Sequence, residues 1–405
     1  MSNITVLGLG YIGLPTSIVL AKSGHKVFGY DINEKAISIL KKGKIHITEK
    51  NLQAAYNEVI KTDTFIVENV IVKSEIYIIA VPTPFKKNEN KKVADLSFVD
   101  SAAETIAGVL KEGDLVILES TVPPGSTKRM TDILEEKSGL SREKFHSVHC
   151  PERVLPGKIL YELEHNDRII GSERVESALL AKELYESFVK QGDIFITDDI
   201  TAEMAKLVEN TSRDVNIAFA NELSIICDEL DINVFELIKL ANKHPRVDIL
   251  NPGVGVGGHC LAVDPWFIVE RYPKEAIIIN NSRLSNDSKP FWVSAKVEKA
   301  ISYDKSKTIG ILGLAYKPNI DDLRESPSLV LAHDLVNKGY NVIGCEPNCN
   351  EGTVDGIVNL SLIDTLQEAD FITLTLAHNE FIESKDIISK NPFFDCIGMM
   401  EYTNG

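Results

Sequence analysis

Apolar positions along the chain fall into short runs separated by stretches with helical spacing. Ile4 to Leu7 is one β-rich run, and Lys26 to Tyr30 is a second that ends at Asp31. Further apolar runs bounded by turn residues follow at Ile76 to Val81, Leu115 to Leu118 and Asp167 to Gly171, with helix-like segments such as Leu96 to Leu110 between them. Strands alternating with helices predict a parallel α/β sheet. From Thr201 to about Leu240 the strand signal stops. There Met204, Leu207, Val208, Val215, Ala218, Phe219, Leu223 and Ile226 keep helical spacing, which predicts a long helical connector or dimerisation element.

Strand signals resume at Thr308 to Leu312 and bring an internal echo. Gly24-His25-Lys26-Val27-Phe28-Gly29-Tyr30-Asp31-Ile32-Asn33 pairs with Gly339-Tyr340-Asn341-Val342-Ile343-Gly344-Cys345-Glu346-Pro347-Asn348. A strand–glycine turn–helix unit precedes each, at Gly8 to Gly13 and at Gly310 to Ala315. Another strand follows each, at Ile76 to Val81 and Phe371 to Leu376. The expected architecture is therefore α/β: two Rossmann-like, doubly wound parallel-sheet domains joined by a long-helix central domain. The boundaries expected are 1–198, 199–300 and 301–405. The second half has a longer first crossover, Lys317 to Ser326, at the sheet edge where such folds bind ligands.

Composition narrows the class. Among 405 residues, 44% are hydrophobic and 25% charged, as in an ordinary globular protein. A formal charge of −16 excludes the basic footprint of a nucleic-acid binder. Six scattered cysteines do not make a disulfide framework, and the Cys345/Cys349 spacing lacks a matching pair, so no metal site is expected. Ile4 to Ala21 is largely apolar, but it lacks a basic flank and holds Gly8, Gly10, Gly13 and Pro15; it reads as a strand entering a glycine turn. No membrane association is expected, and the location expected is cytoplasmic.

Gly8, Gly10 and Gly13 form G-x-G-x-x-G, with Tyr11 and Ile12 inside it, a strand before, a helix after, and Asp31 ending the next strand. Such glycines let the backbone approach a pyrophosphate at a helix N-terminus, where free N–H groups favour anions. Asp31 there would accept from ribose hydroxyls and repel a 2′-phosphate, which predicts NAD as cofactor. Thr83 and Thr121 follow later strands and reach the same edge.

Cys260 ends a stretch holding four glycines, Gly253, Gly255, Gly257 and Gly258. A lone cysteine is usually a small buried hydrophobe. A glycine loop that offers N–H groups beside a thiol also suits a thiolate, and both readings stand on the residues alone. Lys206, Asn210 and Arg213 share one helix face at i, i+4, i+7. Such a stripe is either solvated or able to serve an alkoxide, with Lys as proton shuttle and Asn as donor.

With Gly8 to Gly13, Ala80-Val81-Pro82-Thr83-Pro84, Glu119-Ser120-Thr121, Cys150 to Gly157, Glu203 to Asn210, Gly255 to Pro265, and Lys317 to Pro327 in hand, the chain resembles the UDP-glucose/GDP-mannose dehydrogenase family over essentially its whole length. The resemblance implies oxidation of a sugar CH₂OH to the acid by two NAD⁺, through a thiohemiacetal and then a thioester on Cys260. It also implies that Lys206 acts as acid/base, that Asn210 and Asp264 position water or oxyanion, and that Glu152 serves hydrolysis. Arg153, Val154, Lys206, Asn210, Arg213, His244, Arg246, Gly257, Tyr316 and Lys317 are similar to substrate-binding positions, and Arg324 to a cofactor contact. The segments Arg153-Val154-Leu155-Pro156-Gly157 and His244-Pro245-Arg246 resemble the branch that acts on UDP-N-acetyl-D-mannosamine; UDP-glucose and UDP-N-acetylglucosamine are the alternatives. The partners implied are a UDP-sugar and a second copy of the chain, met through the central helix. One departure is the uncharged Asp395-Cys396-Ile397-Gly398, where the family often has a basic residue soon after the Asp.

Overall fold

Strands β1 (Asn3–Leu7), β2 (Lys26–Tyr30), β3 (Phe65–Glu68), β4 (Ile76–Ile79), β5 (Leu115–Leu118), β6 (His146–His149), β7 (Arg168–Gly171) and β8 (Ile194–Thr197) build one sheet in the order β3-β2-β1-β4-β5-β6-β7-β8. The computed structural model describes residues 1–86, 92–155 and 157–400. Neighbouring strands run parallel except β6 and β7, which meet antiparallel at His149 and Gly171. Strands covered on both faces must be apolar throughout, and β5 is buried at every position. Its side chains alternate between two cores: Leu115 and Ile117 join Ile4, Val6, Leu14 and Ile18, whereas Val116 and Leu118 join Leu7, Tyr77 and Ile79. Strand order reverses between β1 and β4, so the carboxyl ends of those two strands form the crevice that this architecture uses for ligands. Strand β4 stops at Ile79, short of the expected Val81. Pro82 offers no N–H and biases Val81 away from regular pairing.

The chain divides into two compact units, Met1–Val208 and Glu209–Gly405. Helix Asp199–Glu229 is 31 residues long and spans that division. In the second unit, helices Val234–Ala241, Asp264–Arg271 and Ile277–Ala300 precede a second sheet. Its strands are β9 (Thr308–Leu312), β10 (Asn341–Cys345), β11 (Thr353–Val354), β12 (Ile357–Asn359), β13 (Phe371–Leu374) and β14 (Phe393–Asp395), in the order β11-β12-β10-β9-β13-β14. All pairs are parallel except β11 with β12. Helix Pro327–Asn337 starts where its sequence dictates: Ser326 Oγ accepts from Leu329 N–H, and Pro327 takes the first turn. Among the described residues, no helix is long and apolar enough to cross a membrane.

Candidate active site

The glycine turn after β1 tests whether the first unit suits a dinucleotide. Gly8 has φ +92°, and a Cβ there would lie 2.6 Å from the Ala80 carbonyl oxygen. A Cβ on Gly13 would lie 1.8 Å from the Gly8 oxygen, so helix Gly13–Lys22 packs against the turn only without a side chain. A Cβ on Gly10 would meet nothing within 4 Å, which leaves that backbone bare on its ligand side. These are the three separate glycine requirements of a pyrophosphate cradle. Ile12 occupies the helix N-cap and has no hydrogen-bonding group to cap it. Asp31 is half-buried; one oxygen accepts from Leu9 N–H (2.7 Å) and the other from Asn33 N–H (2.8 Å), which turns the carboxylate along the edge of the cradle. Thr83 Oγ donates to the Thr121 carbonyl at 2.7 Å, so these two candidates are joined. Tyr11 is exposed and Ile12 half-buried. The residues present fit NAD.

Glu152 lies deeper. It is buried and takes a 3.0 Å ion pair from Arg168, whose guanidinium stacks 4.6 Å above the Tyr185 ring. The Tyr185 hydroxyl donates to Glu119 at 2.7 Å. Burial, then the charge of Glu152, pushes the Glu119 carboxyl up to about 7, against the pull of Arg168. Two buried acids thus share one guanidinium. Neither Glu119, Arg168 nor Tyr185 was singled out by the sequence as a site residue, because only the sheet brings β5, β6, β7 and helix Val175–Glu186 together. Arg153 donates from Nη2 to the Asp167 carbonyl at 2.5 Å and is half-buried, and Val154 packs at the core's margin. Pro156 lies outside the described residues. Cys150 is buried and its thiol is pushed up to about 12 by that burial, so it is an inert packing group.

In the second unit the glycine stretch lies flat on the crossover that follows β9. Cβ atoms would stand 2.5 Å from the Glu325 oxygen at Gly257 and 2.7 Å from the Tyr316 ring at Gly258, whose φ is +83°. Gly258 N–H also donates to the Arg324 carbonyl at 3.0 Å. Gly257 and Tyr316 therefore meet directly. Cys260 follows, half-buried, unlike the buried Cys227, Cys345 and Cys396. Its carbonyl accepts from Val263 and Asp264 N–H (3.0 and 2.8 Å) in the turn that opens helix Asp264–Arg271. Asp264 is buried and accepts from Asn210 Nδ2 at 2.6 Å, which brings together two candidates 54 positions apart.

The remaining candidates are spread along exposed segments. Lys206 is half-buried on helix Asp199–Glu229, one turn before Asn210. Arg213, His244, Arg246 and Lys317 are exposed. Arg324 is exposed and folds back on Asp322 with bonds of 2.9 and 2.5 Å.

Comparison with known proteins agrees with this geometry. Residues 2–189 match the NAD binding domain of the UDP-glucose/GDP-mannose dehydrogenase family, residues 200–288 its central domain, and residues 310–402 its UDP binding domain. Cradle, cysteine loop and second sheet thus define an NAD-dependent dehydrogenase of nucleotide sugars. The chain belongs to the UDP-glucose/GDP-mannose dehydrogenase family. It is 48% identical to the UDP-N-acetyl-D-mannosamine dehydrogenase of Campylobacter jejuni, over 94% of this chain and 97% of that one. It is 46% identical to the NDP-N-acetyl-D-galactosaminuronic acid dehydrogenase of Ralstonia nicotianae, over 94% and 91%. The solved UDP-D-ManNAc dehydrogenase of Pyrococcus horikoshii superposes with TM-score 0.91 at 39% identity, over 99% of this chain and 96% of that chain.

Proposed function

We propose that the protein oxidises UDP-N-acetyl-D-mannosamine to UDP-N-acetyl-D-mannosaminuronate through a thioester on Cys260. The observation that carries this reading is the half-buried Cys260 at the end of the glycine loop, with the Asn210–Asp264 pair behind it. Two NAD⁺, bound in turn, would each accept one of the two hydrides that the reaction gives up. Lys206 takes the proton of the C6 hydroxyl as the alcohol is oxidised. Cys260 adds its sulfur to the aldehyde carbon, which restores a tetrahedral C–H for the second oxidation. Water then attacks the thioester carbon, the C–S bond breaks, and Cys260 leaves as thiolate; Glu152 takes the proton of that water. Asp264, its carboxylate oriented by Asn210, holds the water or oxyanion. Arg153, Val154, Arg213, His244, Arg246, Gly257, Tyr316 and Lys317 hold the UDP-sugar, and Arg324 reaches the cofactor. Roles divide among segments 1–198, 199–300 and 301–405.

We also propose that two copies pair through the central helices. Supporting this, Ile277, Leu284 and Phe291 are exposed at seven-residue intervals on one helix, as are Phe219 and Ile226 on another. Such stripes are the pattern of a helix–helix seam. Phe291→Glu should convert a dimer to monomers in analytical ultracentrifugation; an unchanged mass removes that helix from the interface.

The test of the reaction is incubation with NAD⁺ and a panel of UDP-sugars, including the gluco and galacto N-acetyl epimers and UDP-glucose. The manno epimer should have the highest kcat/KM and yield two NADH per sugar. A pocket built for an axial acetamido group leaves polar groups unpaired against an epimer, at about 1–3 kcal/mol, or roughly tenfold to a hundredfold in kcat/KM. Faster turnover of UDP-glucose overturns the substrate and leaves the chemistry standing.

A further inference from the structure

The glycine loop that presents Cys260 is held at both ends by one helix face. At its far end Asn210 grips Asp264; at its near end the Oδ1 of Asn221 accepts from Gly253 N–H at 2.9 Å. Asn210 and Asn221 are three turns apart on helix Asp199–Glu229, so the two grips stand about 16 Å apart on the same side.

The second grip is backed by a buried polar ladder. Gly253 N–H can only donate, so Oδ1 of Asn221 must face it and Nδ2 must face the other way. Nδ2 of Asn221 donates to Oδ1 of Asn286 (2.9 Å), and Nδ2 of Asn286 donates to the Asp214 carboxylate (2.8 Å) and to the Asp214 carbonyl (3.1 Å). Arg283 Nη1 donates to the same Asp214 oxygen at 2.5 Å and lies 3.5 Å from the carbonyl of Leu261, next to Cys260. Asn221, Asp214, Asn286 and Arg283 are all at most 1% exposed. Each amide orientation is therefore dictated by its neighbour, from a backbone donor at one end to a carboxylate at the other. The Asn286 backbone also presses on the loop: its carbonyl oxygen would be 2.9 Å from a Cβ on Gly255. Buried networks with every member oriented are rigid and sensitive to a single reversed dipole.

We propose that Asn221, backed by Asn286, Asp214 and Arg283, is a positioning residue that fixes the start of the glycine loop and so aims the Cys260 sulfur. The inference rests on the reading of Cys260 as nucleophile. Asn221→Asp keeps the size but loses the donor, setting a carboxylate against the Asn286 oxygen. Flipping the Asn286 amide only moves that clash to Asp214.

The test compares wild type, Asn221→Asp and Asn221→Ala for kcat, KM for the UDP-sugar, and the rate of Cys260 alkylation by iodoacetamide as a function of pH, with the modified site read by mass spectrometry. The expected result is a tenfold to hundredfold lower kcat with KM within threefold. The alkylation profile should also change, because the loop no longer holds the Cys260 sulfur in one place. Normal kcat and an unchanged alkylation profile, with only a lower melting temperature, overturn the proposal. If neither variant folds, hydrogen exchange of the wild type decides: the Gly253 amide should exchange as slowly as the helix amides, and exchange at the rate of an open loop overturns it. Cys260→Ala separates the two claims. Acid production by that variant sinks the nucleophile reading, whereas an inactive Cys260→Ala beside a normal Asn221→Asp sinks only the positioning role.

Discussion

The two sheets start from the same backbone template and end in opposite pockets. Gly8 N–H bonds the Tyr30 carbonyl and Gly313 N–H bonds the Cys345 carbonyl, each at 2.9 Å, so Asp31 and Glu346 occupy the same place in their halves. Asp31 is half-buried and takes one bond from the turn, at Leu9. Glu346 is one methylene longer and buried, and a single oxygen takes Leu314 N–H, Ala315 N–H (both 2.9 Å) and His378 Nε2 (3.1 Å). The other oxygen takes Asn348, from both backbone and side chain, at 3.2 Å. Where Gly10 leaves its backbone bare, Ala315 carries a buried methyl. The first half keeps its dinucleotide crevice open; the second fills the equivalent crevice with its own side chains and presents the crossover instead. Shared topology is thus compatible with different ligands because the difference rests on a few side chains at the strand ends.

The sharpest way to break the comparison is to give the first half the side chains of the second. Gly13→Ala drives a methyl into the Gly8 carbonyl and should abolish NAD binding along with the local fold, read as no detectable turnover and a lost calorimetric transition. Gly10→Ala copies Ala315 into open space. It should leave the melting temperature within about a degree and raise KM for NAD roughly tenfold to a hundredfold, because the methyl stands where the pyrophosphate must approach. An unchanged KM for NAD in Gly10→Ala would show that the bare face of Gly10 is not the ligand face.

Much of this contrast was legible in the sequence. The G-x-G-x-x-G spacing, Asp31, and the echo of residues 24–33 in 339–348 follow from short-range rules, and β2 and β10 fall within that echo. The family relationship carried Cys260, Asn210 and Asp264 as separate residues, but the 2.6 Å bond joining two of them was beyond reach. Glu346 was readable only as the counterpart of Asp31. Its clamp role depends on His378, which arrives from the end of β13. Strands β3, β6, β8, β11, β12 and β14 escaped notice because each is at most four residues long, too short to show a period, and His146–His149 also mixes polar and apolar residues. The turn of the second half opens at Gly313, with Gly310 inside β9, because both glycines fit the spacing and only pairing decides between them.

His378 sharpens the comparison with a smaller effect. Its Nδ1 accepts from Asn319 N–H at 2.9 Å, and a backbone N–H cannot accept, so the ring proton is on Nε2 and donates to Glu346. Asn319, at φ +61°, is thereby pinned two positions after Lys317. His378→Phe should raise KM for the UDP-sugar about tenfold and leave KM for NAD unchanged. Gln, which can accept from Asn319 and donate to Glu346, should restore most of the loss. An equal change in both KM values would point to general unfolding.

The smallest effect concerns two buried carboxyls whose acidity the halves shift in opposite directions. Burial and the nearby Glu152 push Glu119 up from 4.5 to about 7, so folding disfavours its anion. Burial alone would push Glu346 up too, but His378 and the two backbone N–H groups hold it below 4.5. For Glu119 the cost is absent below pH 4.5, where folded and unfolded chains are both protonated. It grows as the unfolded chain ionises and is complete above about pH 7. For Glu346 the stabilisation is present above pH 4.5 and is lost as pH falls through its depressed folded value. Glu119→Gln should therefore melt higher than wild type at pH 8 and level with it near pH 4.5. Glu346→Gln should melt lower at pH 8, with the gap closing on acidification. Each buried group is worth about 1–3 kcal/mol, or roughly 2–12 °C in a unit of this size. Scanning calorimetry across that pH range reads both, and two variants shifting in the same direction at pH 8 would mean that folding shifts both carboxyls the same way.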